Sequence, residues 1–376
     1  MIRVGIICLR ELRLWSPNVR YIAEHLASVG YRVTLFSPGS VPEAMLSQSN
    51  RVSYQVMPAP KGRGGSILTL LAGWLIPVLK GLGKFDVVIA FDNDAIAPGV
   101  VLKLFSPKTK LVWYCLELES PDQLSGTLSA KIAYCSAKML ARRSDIVIDS
   151  DLSRGRLRKV IYKIKSLMIS IDNCMPAGVN LIESQRFDQL DNDRVKIGYA
   201  GMLGQYNGIP ELVDAVKRIK HKAVLLIAGF GLTDINKKAI QEGVEAGAVK
   251  FLGTLGRNEL ASFYRSINIG AVFYPFNGNS YHRNIKYCTP NKLFEYMAFG
   301  LPVITSKNPT FKRWVLKEGW GVMVDPADIN RMANQIEELC DNKMLRLQMS
   351  IKAIELYKTK YCIEKQIRPL LTFIGN

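Results

Sequence analysis

The hydrophobic positions of this 376-residue chain predict strands and helices that alternate along it. Short apolar runs rich in β-branched residues indicate buried strands, whereas apolar residues three or four positions apart indicate helices. In the N-terminal half, strands are predicted at Ile2–Leu9, Tyr31–Phe36, Val52–Met57, Asp86–Phe91, Lys110–Cys115, Asp145–Asp149 and Leu167–Ile171. Helices are predicted at Ser16–Gly30, Ala95–Phe105, Thr127–Arg143 and Leu152–Tyr162. This order is typical of a doubly wound parallel sheet.

The same pattern begins again after a polar stretch, Asn173–Arg194, which is predicted to link two domains. A helix follows at Ile209–Lys220. The second set of strands is predicted at Val195–Ala200, Val224–Ala228, Val249–Leu252, Asn268–Tyr274, Val303–Thr305 and Gly321–Val324. Because a chain of this length exceeds one core of usual size, we predict an α/β fold with two Rossmann-like domains, 1–180 and 181–359. The residues from Ala327 onward are predicted to be helical.

The most informative stretch is Thr289–Ser306, TPNKLFEYMAFGLPVITS, which predicts a helix followed by a buried strand. Gly300 ends this helix, since glycine readily adopts the left-handed conformation that terminates helices. The helix N-terminus has unpaired N–H groups that favour an anion, and Asn291 and Lys292 lie there. Glu295, one turn further, is placed to accept hydrogen bonds from hydroxyl groups, although a solvated helix residue is the ordinary alternative. The stretch therefore indicates a site for the diphosphate and ribose of a sugar nucleotide.

The string PNKLFEYMAFGLPVI resembles the donor-binding signature of retaining glycosyltransferases of the GT-B fold, especially family 4, the glycosyl transferases group 1. The resemblance implies two doubly wound parallel-sheet domains that face a cleft, with Glu295 on the donor ribose. A C-terminal helix at about 360–376 is expected, from the same resemblance, to pack back on the first domain. It also implies sugar transfer with retention by front-face attack, in which the leaving phosphate acts as the base. The GT-B fold generally needs no metal, and Asp92-Asn93-Asp94 is a poor match to a metal-binding D-x-D motif. We therefore expect a nucleotide-diphosphate sugar as the donor, no metal and no other cofactor.

The chain departs from the family pattern at three positions. The loop GMLGQYNG (201–208) corresponds to a family loop in which an arginine and a lysine clamp the diphosphate, and Met202 and Asn207 stand there instead. The first glutamate of the family's E-x7-E motif falls at Tyr287. We expect cations of the preceding loop to replace the missing pair, namely His282, Arg283 or Lys286.

The resemblance carries over to a donor site, an acceptor side and a catalytic pair. The predicted donor-binding residues are Gly201, Asn207, Gly208, Gly229, Gly231, Leu252, Arg283, Lys286, Asn291, Lys292, Leu293 and Glu295. Where relatives have a glycine-rich loop after the first strand, this chain offers Ser16, Asn18 and Arg20 to the acceptor. Relatives often carry a histidine or glutamate facing the sugar after the strand LVWYC. Leu116 stands at the place of that histidine, so the adjacent Glu117 is the candidate, and Glu117 and Glu295 are the predicted catalytic residues.

The charge balance predicts an anionic partner, because 50 Lys and Arg residues outnumber 32 Asp and Glu residues. Gly64–Leu79 is uncharged and shorter than the roughly 20 residues that span a bilayer, so it is a buried core helix or an interfacial one. Arg154–Lys165 is a second basic segment. Together they predict peripheral contact with an anionic membrane, on the cytoplasmic side. No recognition motif for nucleic acid is present, so we expect no nucleic-acid partner.

These observations favour a cytoplasmic retaining glycosyltransferase that acts on a lipid-linked or cell-envelope glycan acceptor at the inner membrane face. Seven scattered cysteines without a C-x-x-C pair fit a reducing compartment. One alternative is a sugar-nucleotide-binding protein without transfer activity, which the residues at 202, 207 and 287 favour. Another is a sugar-nucleotide epimerase of the GT-B fold, although those enzymes use additional carboxylates and histidines and this chain has only three histidines.

Overall fold

The structure is a computed structural model that describes residues 1–9, 17–39, 51–58, 67–119, 127–178, 193–275 and 283–375, the side chains of 257 and 258 excepted. The chain forms two compact units. The first comprises Met1–Pro176 together with Ile363–Asn376, and the second comprises Ala177–Cys362. Each unit is built around one parallel sheet.

The first unit contains a seven-stranded parallel sheet in the order β3-β2-β1-β4-β5-β6-β7. Its strands are β1 (Arg3–Ile7), β2 (Arg32–Pro38), β3 (Val52–Met57), β4 (Val87–Phe91), β5 (Lys110–Cys115), β6 (Ile146–Asp149) and β7 (Leu167–Ser170). Its helices before the second unit are α1 (Pro17–Ser28), α2 (Ile67–Gly81), α3 (Asp92–Phe105), α4 (Leu128–Leu140) and α5 (Leu152–Tyr162), with a 3-10 turn at Ala141–Arg143. The central strands are buried on both faces, which explains their nearly continuous apolar sequences.

The second unit contains a six-stranded parallel sheet in the order β10-β9-β8-β11-β12-β13. Its strands are β8 (Val195–Met202), β9 (Ala223–Phe230), β10 (Val249–Phe251), β11 (Ile269–Val272), β12 (Val303–Ser306) and β13 (Gly321–Val324). Its helices are α6 (Ile209–Arg218), α7 (Asp234–Glu245), α8 (Arg257–Ser266), α9 (Arg283–Lys286), α10 (Asn291–Ala298), α11 (Pro309–Phe311), α12 (Ile329–Asp341) and α13 (Lys343–Thr359), with a π-helical segment at Lys312–Leu316.

The predicted fold class is confirmed, because each of the thirteen predicted strands is present and both sheets are parallel and doubly wound. Two element boundaries differ in ways that matter. Strand β8 continues to Met202 because its last residues pair in register with Gly229 and Phe230, so Gly201 lies on a strand rather than in a loop. Helix α3 begins at Asp92, three residues before the predicted start, so Asp92-Asn93-Asp94 forms its first turn.

The C-terminal residues form two further short helices, α14 (Ile363–Gln366) and α15 (Arg368–Gly375), within the first unit. The Ile363 N–H donates to the Met175 carbonyl at 3.1 Å. Lys110 Nζ donates to the Phe373 carbonyl at 3.0 Å, close to the C-terminal end of α15. A lysine at that end of a helix is favourable because the carbonyl groups there carry partial negative charge.

Candidate functional site

The candidate site lies at the C-terminal edge of the second sheet, between β8 and β11. The strand order reverses there, since β9 and β10 lie on one side and β12 and β13 on the other. In open α/β sheets, ligands bind beyond the carboxyl ends of the strands at such a switch point. Side chains from β8, from the segment after β11 and from α10 converge at this position.

Three of the predicted glycines shape the backbone at the strand ends. Gly201 (φ 137°) lies opposite Gly229 on the neighbouring strand. A Cβ on Gly229 would lie 1.9 Å from the Gly201 carbonyl oxygen, so no other residue fits there. Gly208 has φ 57° and is the N-cap residue just before α6. A Cβ on Gly208 would lie 2.9 Å from Pro275. The backbone therefore approaches this edge more closely than side chains would permit.

Lys292 reaches into the site from the first turn of α10 and is buried, with a residue exposure of 8%. Its Nζ lies 3.8 Å from the centroid of the Tyr199 ring and 5.8 Å from that of Tyr274. It also faces Gly201, since a Cβ built on that glycine would be 3.0 Å from Nζ. Among the described residues, this Nζ has no hydrogen-bond partner. A buried ammonium group that lies over an aromatic face and lacks a hydrogen-bond partner within these residues is a favourable position for an anion.

The environment of Lys292 makes its charge sensitive to pH. Burial lowers the pKa of Lys292 to about 7, while the nearby Glu295 carboxylate and the Cys288 thiol act in the opposite direction. Close to neutral pH, the ammonium and amine forms are therefore both populated. An anion bound beside Nζ would favour the charged form and raise the pKa again.

Glu295 lies three residues after Lys292 on α10, and its carboxylate is held by a residue that sequence analysis did not identify. The Tyr264 hydroxyl donates to Glu295 Oε2 at 2.6 Å. Tyr264 comes from α8, and its ring packs edge-on against Tyr296 and Phe299. In sequence, Tyr264 was indistinguishable from the other apolar positions of an amphipathic helix.

A buried polar network supports the segment that leads into α10. Asn308 Nδ2 donates to the Ile285 carbonyl at 3.0 Å, and Thr310 Oγ1 donates to the Cys288 carbonyl at 2.9 Å. Ser306 Oγ in turn donates to Asn308 Oδ1 at 2.6 Å. The polar residues SKNPT (306–310), at the end of a buried strand and just beyond it, are the feature of the sequence that could have indicated this network.

Several predicted donor residues hold the backbone around the site in place through burial or through hydrogen bonds within the protein. Leu293 is fully buried in the core, and its N–H donates to the Pro290 carbonyl at 3.2 Å. Asn207 Oδ1 accepts from the Gly204 N–H at 2.9 Å, which closes the loop after β8. The Leu252 N–H donates to the Ile227 carbonyl at 2.8 Å, as part of the pairing of β10 with β9. These groups are committed to the protein's own hydrogen bonds, so they position the site.

The remaining predicted donor residues lie around this edge of the sheet. Gly231 has φ 74° and forms the turn after β9. Asn291 is the first residue of α10 and is half-buried. Arg283 is exposed at the start of α9, and Lys286 Nζ lies 5.5 Å from the Tyr287 ring centroid. His282 lies outside the described residues.

The predicted catalytic residue Glu117 belongs to a loop of the first unit whose backbone N–H and carbonyl groups are both held by side-chain hydrogen bonds. Asp92 Oδ1 accepts from the N–H groups of Leu116 and Glu117, at 2.7 and 3.1 Å. Arg154 Nη2 and Arg158 Nη2 donate to the carbonyls of the same two residues, at 2.8 and 2.7 Å. Asp92 has φ 58°, an unusual conformation for a non-glycine residue that is often found at functional sites.

A second carboxylate in this loop is held through its side chain. Asn93 Nδ2 donates to Glu119 Oε2 at 2.6 Å and to the Tyr162 hydroxyl at 2.9 Å. Sequence analysis favoured Glu117, whose backbone is fixed. The structure additionally fixes the Glu119 side chain at the carboxyl end of β5.

The basic segment Arg154–Lys165 is only partly available at the surface, which corrects the sequence-based expectation. Arg154 and Arg158 are both 1% exposed and pair with the buried Asp149 carboxylate, at 3.2 and 2.7 Å. Arg158 also lies over the Trp113 ring. Buried charges require partners, and these two arginines satisfy Asp149 and the loop carbonyls rather than facing lipid.

On the predicted acceptor side, Asn18 is buried and Arg20 Nε pairs with Glu24 Oε1 at 2.6 Å along α1. Ser16 lies outside the described residues.

The apolar stretch predicted as Gly64–Leu79 forms α2 from Ile67 onward, and residues 64–66 lie outside the described part. Of this helix only Gly73, Pro77 and Gly81 are buried. Its large exposed apolar side chains are Ile67, Leu68, Leu71, Leu75 and Leu79. The alternative of a fully buried core helix is therefore wrong. None of the described helices is both long and apolar enough to span a membrane.

Within the described ranges, no group of three or more His, Cys, Asp or Glu side chains is arranged to hold a metal ion.

The chain has two doubly wound parallel-sheet units, and in the second a lysine and a glutamate lie on the helix near the switch point. This architecture is that of the GT-B fold. Residues 194–342, within the second unit, match the family model described as glycosyl transferases group 1. The match confirms the resemblance derived from the signature on α10.

Solved structures confirm the fold over the whole chain. Sucrose-phosphate synthase from Thermosynechococcus elongatus is 17% identical with a TM-score of 0.77, covering 100% of this chain and 98% of that one. Anabaena HepE in complex with UDP and glucose is 16% identical with a TM-score of 0.75, covering 100% of both chains. A glycosyltransferase from Rickettsia africae is 14% identical with a TM-score of 0.71, covering 100% and 98%. No curated protein sequence matches this chain.

Replacing Lys292 with methionine, which keeps most of the side-chain volume, is expected to stabilise the ligand-free protein by about 1–3 kcal/mol below pH 7. The folded-state pKa of about 7 lies below the unfolded value of 10.5, so the unfolded chain binds more protons between these values and wild-type stability rises with pH there. The stability gap between variant and wild type should therefore be widest below pH 7 and narrow towards pH 9. Melting temperatures of both proteins from pH 6 to 9 test this, and a pH-independent gap would contradict it.

Replacing Asp149 with asparagine is expected to destabilise the first unit by about 3–5 kcal/mol, because two buried arginines lose their counter-charge. Asp86→Asn is the matched control, since its pair with Arg3 is exposed and contributes about 0–1 kcal/mol. Urea denaturation of both variants measures the difference. Equal losses would show that burial of the Asp149 cluster carries no special cost.

Proposed function

We propose that this chain is a retaining, metal-independent glycosyltransferase that moves a sugar from a nucleotide-diphosphate donor to a lipid-linked or cell-envelope glycan acceptor. The observation that carries the proposal is the buried Lys292 ammonium, which has no hydrogen-bond partner among the described residues and faces Gly201 at the switch point of the second sheet. A diphosphate is the ligand group whose charge and oxygen atoms complement such a position.

The same lysine accounts for the departures from the family pattern. The two cations that relatives place at the positions of Met202 and Asn207 would approach the diphosphate from the end of β8 and from the loop after it. Lys292 approaches the same strand end from α10, next to Gly201. We propose that it replaces the missing pair, with Arg283 and Lys286 of α9 as outer contacts.

Sugar transfer requires stabilisation of the negative charge that develops on the departing diphosphate. Preorganised cations and N–H groups supply most of this stabilisation in transferases of this kind. In this chain, Lys292 and the N-terminus of α10 supply it from one helix. Glu295 on the same helix accepts hydrogen bonds from the ribose hydroxyls, so one element binds both halves of the nucleotide. The HepE neighbour solved with UDP-glucose supports a donor of this chemical class.

In the first unit, Glu117 and Glu119 stand at the carboxyl end of β5, on a loop clamped by Asp92 and two buried arginines. A rigid loop that presents carboxylates suits recognition of sugar hydroxyls. We propose that it serves the transferred sugar or the acceptor glycan, with Asn18 and Arg20 on the same side of the reaction.

A binding protein without transfer activity is the second possibility. Asn207 favours it, because its side chain accepts a hydrogen bond from the Gly204 N–H and provides no cation for the leaving group. Release of the nucleoside diphosphate from the nucleotide sugar separates the two functions. A transferase releases it at a rate that depends on Lys292, whereas a binding protein retains intact donor.

We further propose that the first unit contacts an anionic membrane on the cytoplasmic side, where a lipid-linked acceptor would be found. Helix α2 exposes a stripe of leucines at positions 68, 71, 75 and 79, and exposed Lys80 and Lys84 follow it. On α5 and after it, Arg156, Lys163 and Lys165 remain exposed once the two buried arginines are set aside. Apolar side chains beside cations are the composition that binds the boundary of anionic lipid headgroups and acyl chains.

Lys292→Met is expected to weaken UDP-, GDP- or ADP-glucose binding, whichever the wild type binds, by about 10- to 100-fold at pH 6.5, since a charge-assisted contact is lost. Wild-type affinity should also fall by up to about tenfold per pH unit above pH 7, as the free ammonium loses its proton. Isothermal titration calorimetry from pH 6.5 to 8.5 measures both effects. Lys307→Met, which removes an exposed lysine of the same unit, is the control.

Unchanged affinity in Lys292→Met would contradict the diphosphate site. Release of the nucleoside diphosphate from the donor, measured with and without EDTA, tests metal independence, and a loss of donor turnover on chelation would contradict it.

Replacing Leu68, Leu75 and Leu79 with serine is expected to reduce binding to phosphatidylglycerol vesicles at least about tenfold, because three side chains no longer enter the acyl boundary. The control replaces Met344, Leu347 and Ile351 of α13, which are equally half or more exposed but belong to the second unit. Vesicle co-sedimentation at low salt measures the difference, with phosphatidylcholine vesicles alongside. Equal binding by both triple variants would contradict this contact surface.

A further inference from the structure

We propose that Tyr264 is a positioning residue whose phenol fixes the Glu295 carboxylate for recognition of the ribose hydroxyls. This inference rests on the proposed function, because it assigns a role within the nucleotide site. It adds a residue from α8, a helix that contains none of the predicted donor residues.

The contact between the two side chains is short and tertiary. The Tyr264 hydroxyl donates to Glu295 Oε2 at 2.6 Å, across 31 positions of sequence. That distance falls in the range typical of hydroxyl groups that donate to ionised carboxylates, which are the stronger class of hydrogen bond. Such a bond sets the plane and direction of the carboxylate, whereas a helix glutamate without it samples several rotamers.

The Tyr264 ring is itself held in place. It is 2% exposed, and its centroid lies 5.2 Å from that of Tyr296 and 5.1 Å from that of Phe299, both in edge-to-face geometry. The Arg265 guanidinium also lies over Phe299, 5.8 Å from its ring centroid. Burial and these two ring contacts hold the phenol in place, and its hydroxyl is directed at Glu295 Oε2.

The rings of Tyr264 and Tyr296 also connect the Glu295 carboxylate to the strand that carries the proposed diphosphate site. The Tyr296 hydroxyl donates to the Gly198 carbonyl at 3.0 Å and accepts from the Ala200 N–H at 3.3 Å. Both residues belong to β8, the strand on which Gly201 lies. Tyr264, Tyr296 and β8 therefore form one rigid connection, so the orientation of Glu295 is fixed relative to the position of Lys292 on the same helix.

The consequence for binding follows from preorganisation. A side chain that is ordered before the ligand arrives loses less conformational entropy on binding, and its hydrogen bonds to the ligand then contribute more fully to affinity. Removal of the phenol hydroxyl should therefore weaken only those contacts that the carboxylate makes. On this basis, Tyr264→Phe should weaken binding of a ribonucleotide by about 3- to 10-fold.

The test uses the full chain and compares ligands with and without ribose hydroxyls. Isothermal titration calorimetry is carried out with UDP, GDP and ADP, each beside its 2′,3′-dideoxy form, on the wild type, Tyr264→Phe, Glu295→Gln and the double variant. We expect Tyr264→Phe to weaken the ribose form and to leave the dideoxy form unchanged. In the Glu295→Gln background, the additional Tyr264→Phe change should have no further effect.

The matched control is Tyr361→Phe, which removes an equivalent hydroxyl. Tyr361 donates to the Glu318 carboxylate at 2.9 Å, is 1% exposed and lies in the same unit. We expect this control to bind both ligand forms as the wild type does. A purely structural role for Tyr264 would weaken the ribose and dideoxy forms equally, and that result would overturn the inference.

Two further outcomes separate this inference from the proposed function. If the wild type and Glu295→Gln differ for the ribose form but Tyr264→Phe matches the wild type, the inference is wrong and the nucleotide site stands. If the wild type binds none of the six ligands, the proposed function fails, and the role of Tyr264 fails with it.

Discussion

The candidate site depends on the close approach of two backbones at the end of β8. A Cβ on Gly229 would lie 1.9 Å from the Gly201 carbonyl oxygen, so the strands can end this close together only with glycine at that position. The missing side chain of Gly201 also leaves room for Lys292 Nζ, which would lie 3.0 Å from a Cβ at that position. A larger residue at either glycine would displace the strand end or the lysine, and with it the position proposed for the diphosphate.

Burial of the lysine that occupies this space reduces the stability of the folded protein, and this loss points to a functional role for the residue. Burial lowers the pKa of Lys292 to about 7, and the ammonium lies over the face of Tyr199 with no hydrogen-bond partner in the described part of the chain. An apolar residue of similar size would fill the same space at less cost in free energy. Residues that reduce stability in this way are common at functional sites, where the ligand supplies the missing interaction. The same reasoning applies to Asp92, whose left-handed backbone holds the Glu117 loop.

The sequence predicted most of the fold because the relevant signals are local. Apolar runs such as VVIAF mark strands that are buried on both faces, and Gly300 ended α10 in the left-handed conformation expected of it. Lys292 was predicted from the signature on α10, whereas the glycines were predicted from the loop GMLGQYNG and from the turn after β9. Tyr264 was not, since its role depends on a contact 31 positions away, and no periodicity distinguishes a core tyrosine from one that orients a carboxylate.

The basic segment on α5 shows why charge patterns are less reliable than apolar ones. A run of arginines and lysines spaced along a helix predicts a solvated face, but Arg154 and Arg158 turn inward because Asp149 and two loop carbonyls need partners there. The net charge of the chain counts these buried arginines equally with the surface cations, although Asp149 offsets their field at short range. The electrostatic attraction to an anionic surface therefore depends on the cations that remain exposed, such as Lys80 and Lys163, and the leucines of α2 determine whether that attraction leads to insertion.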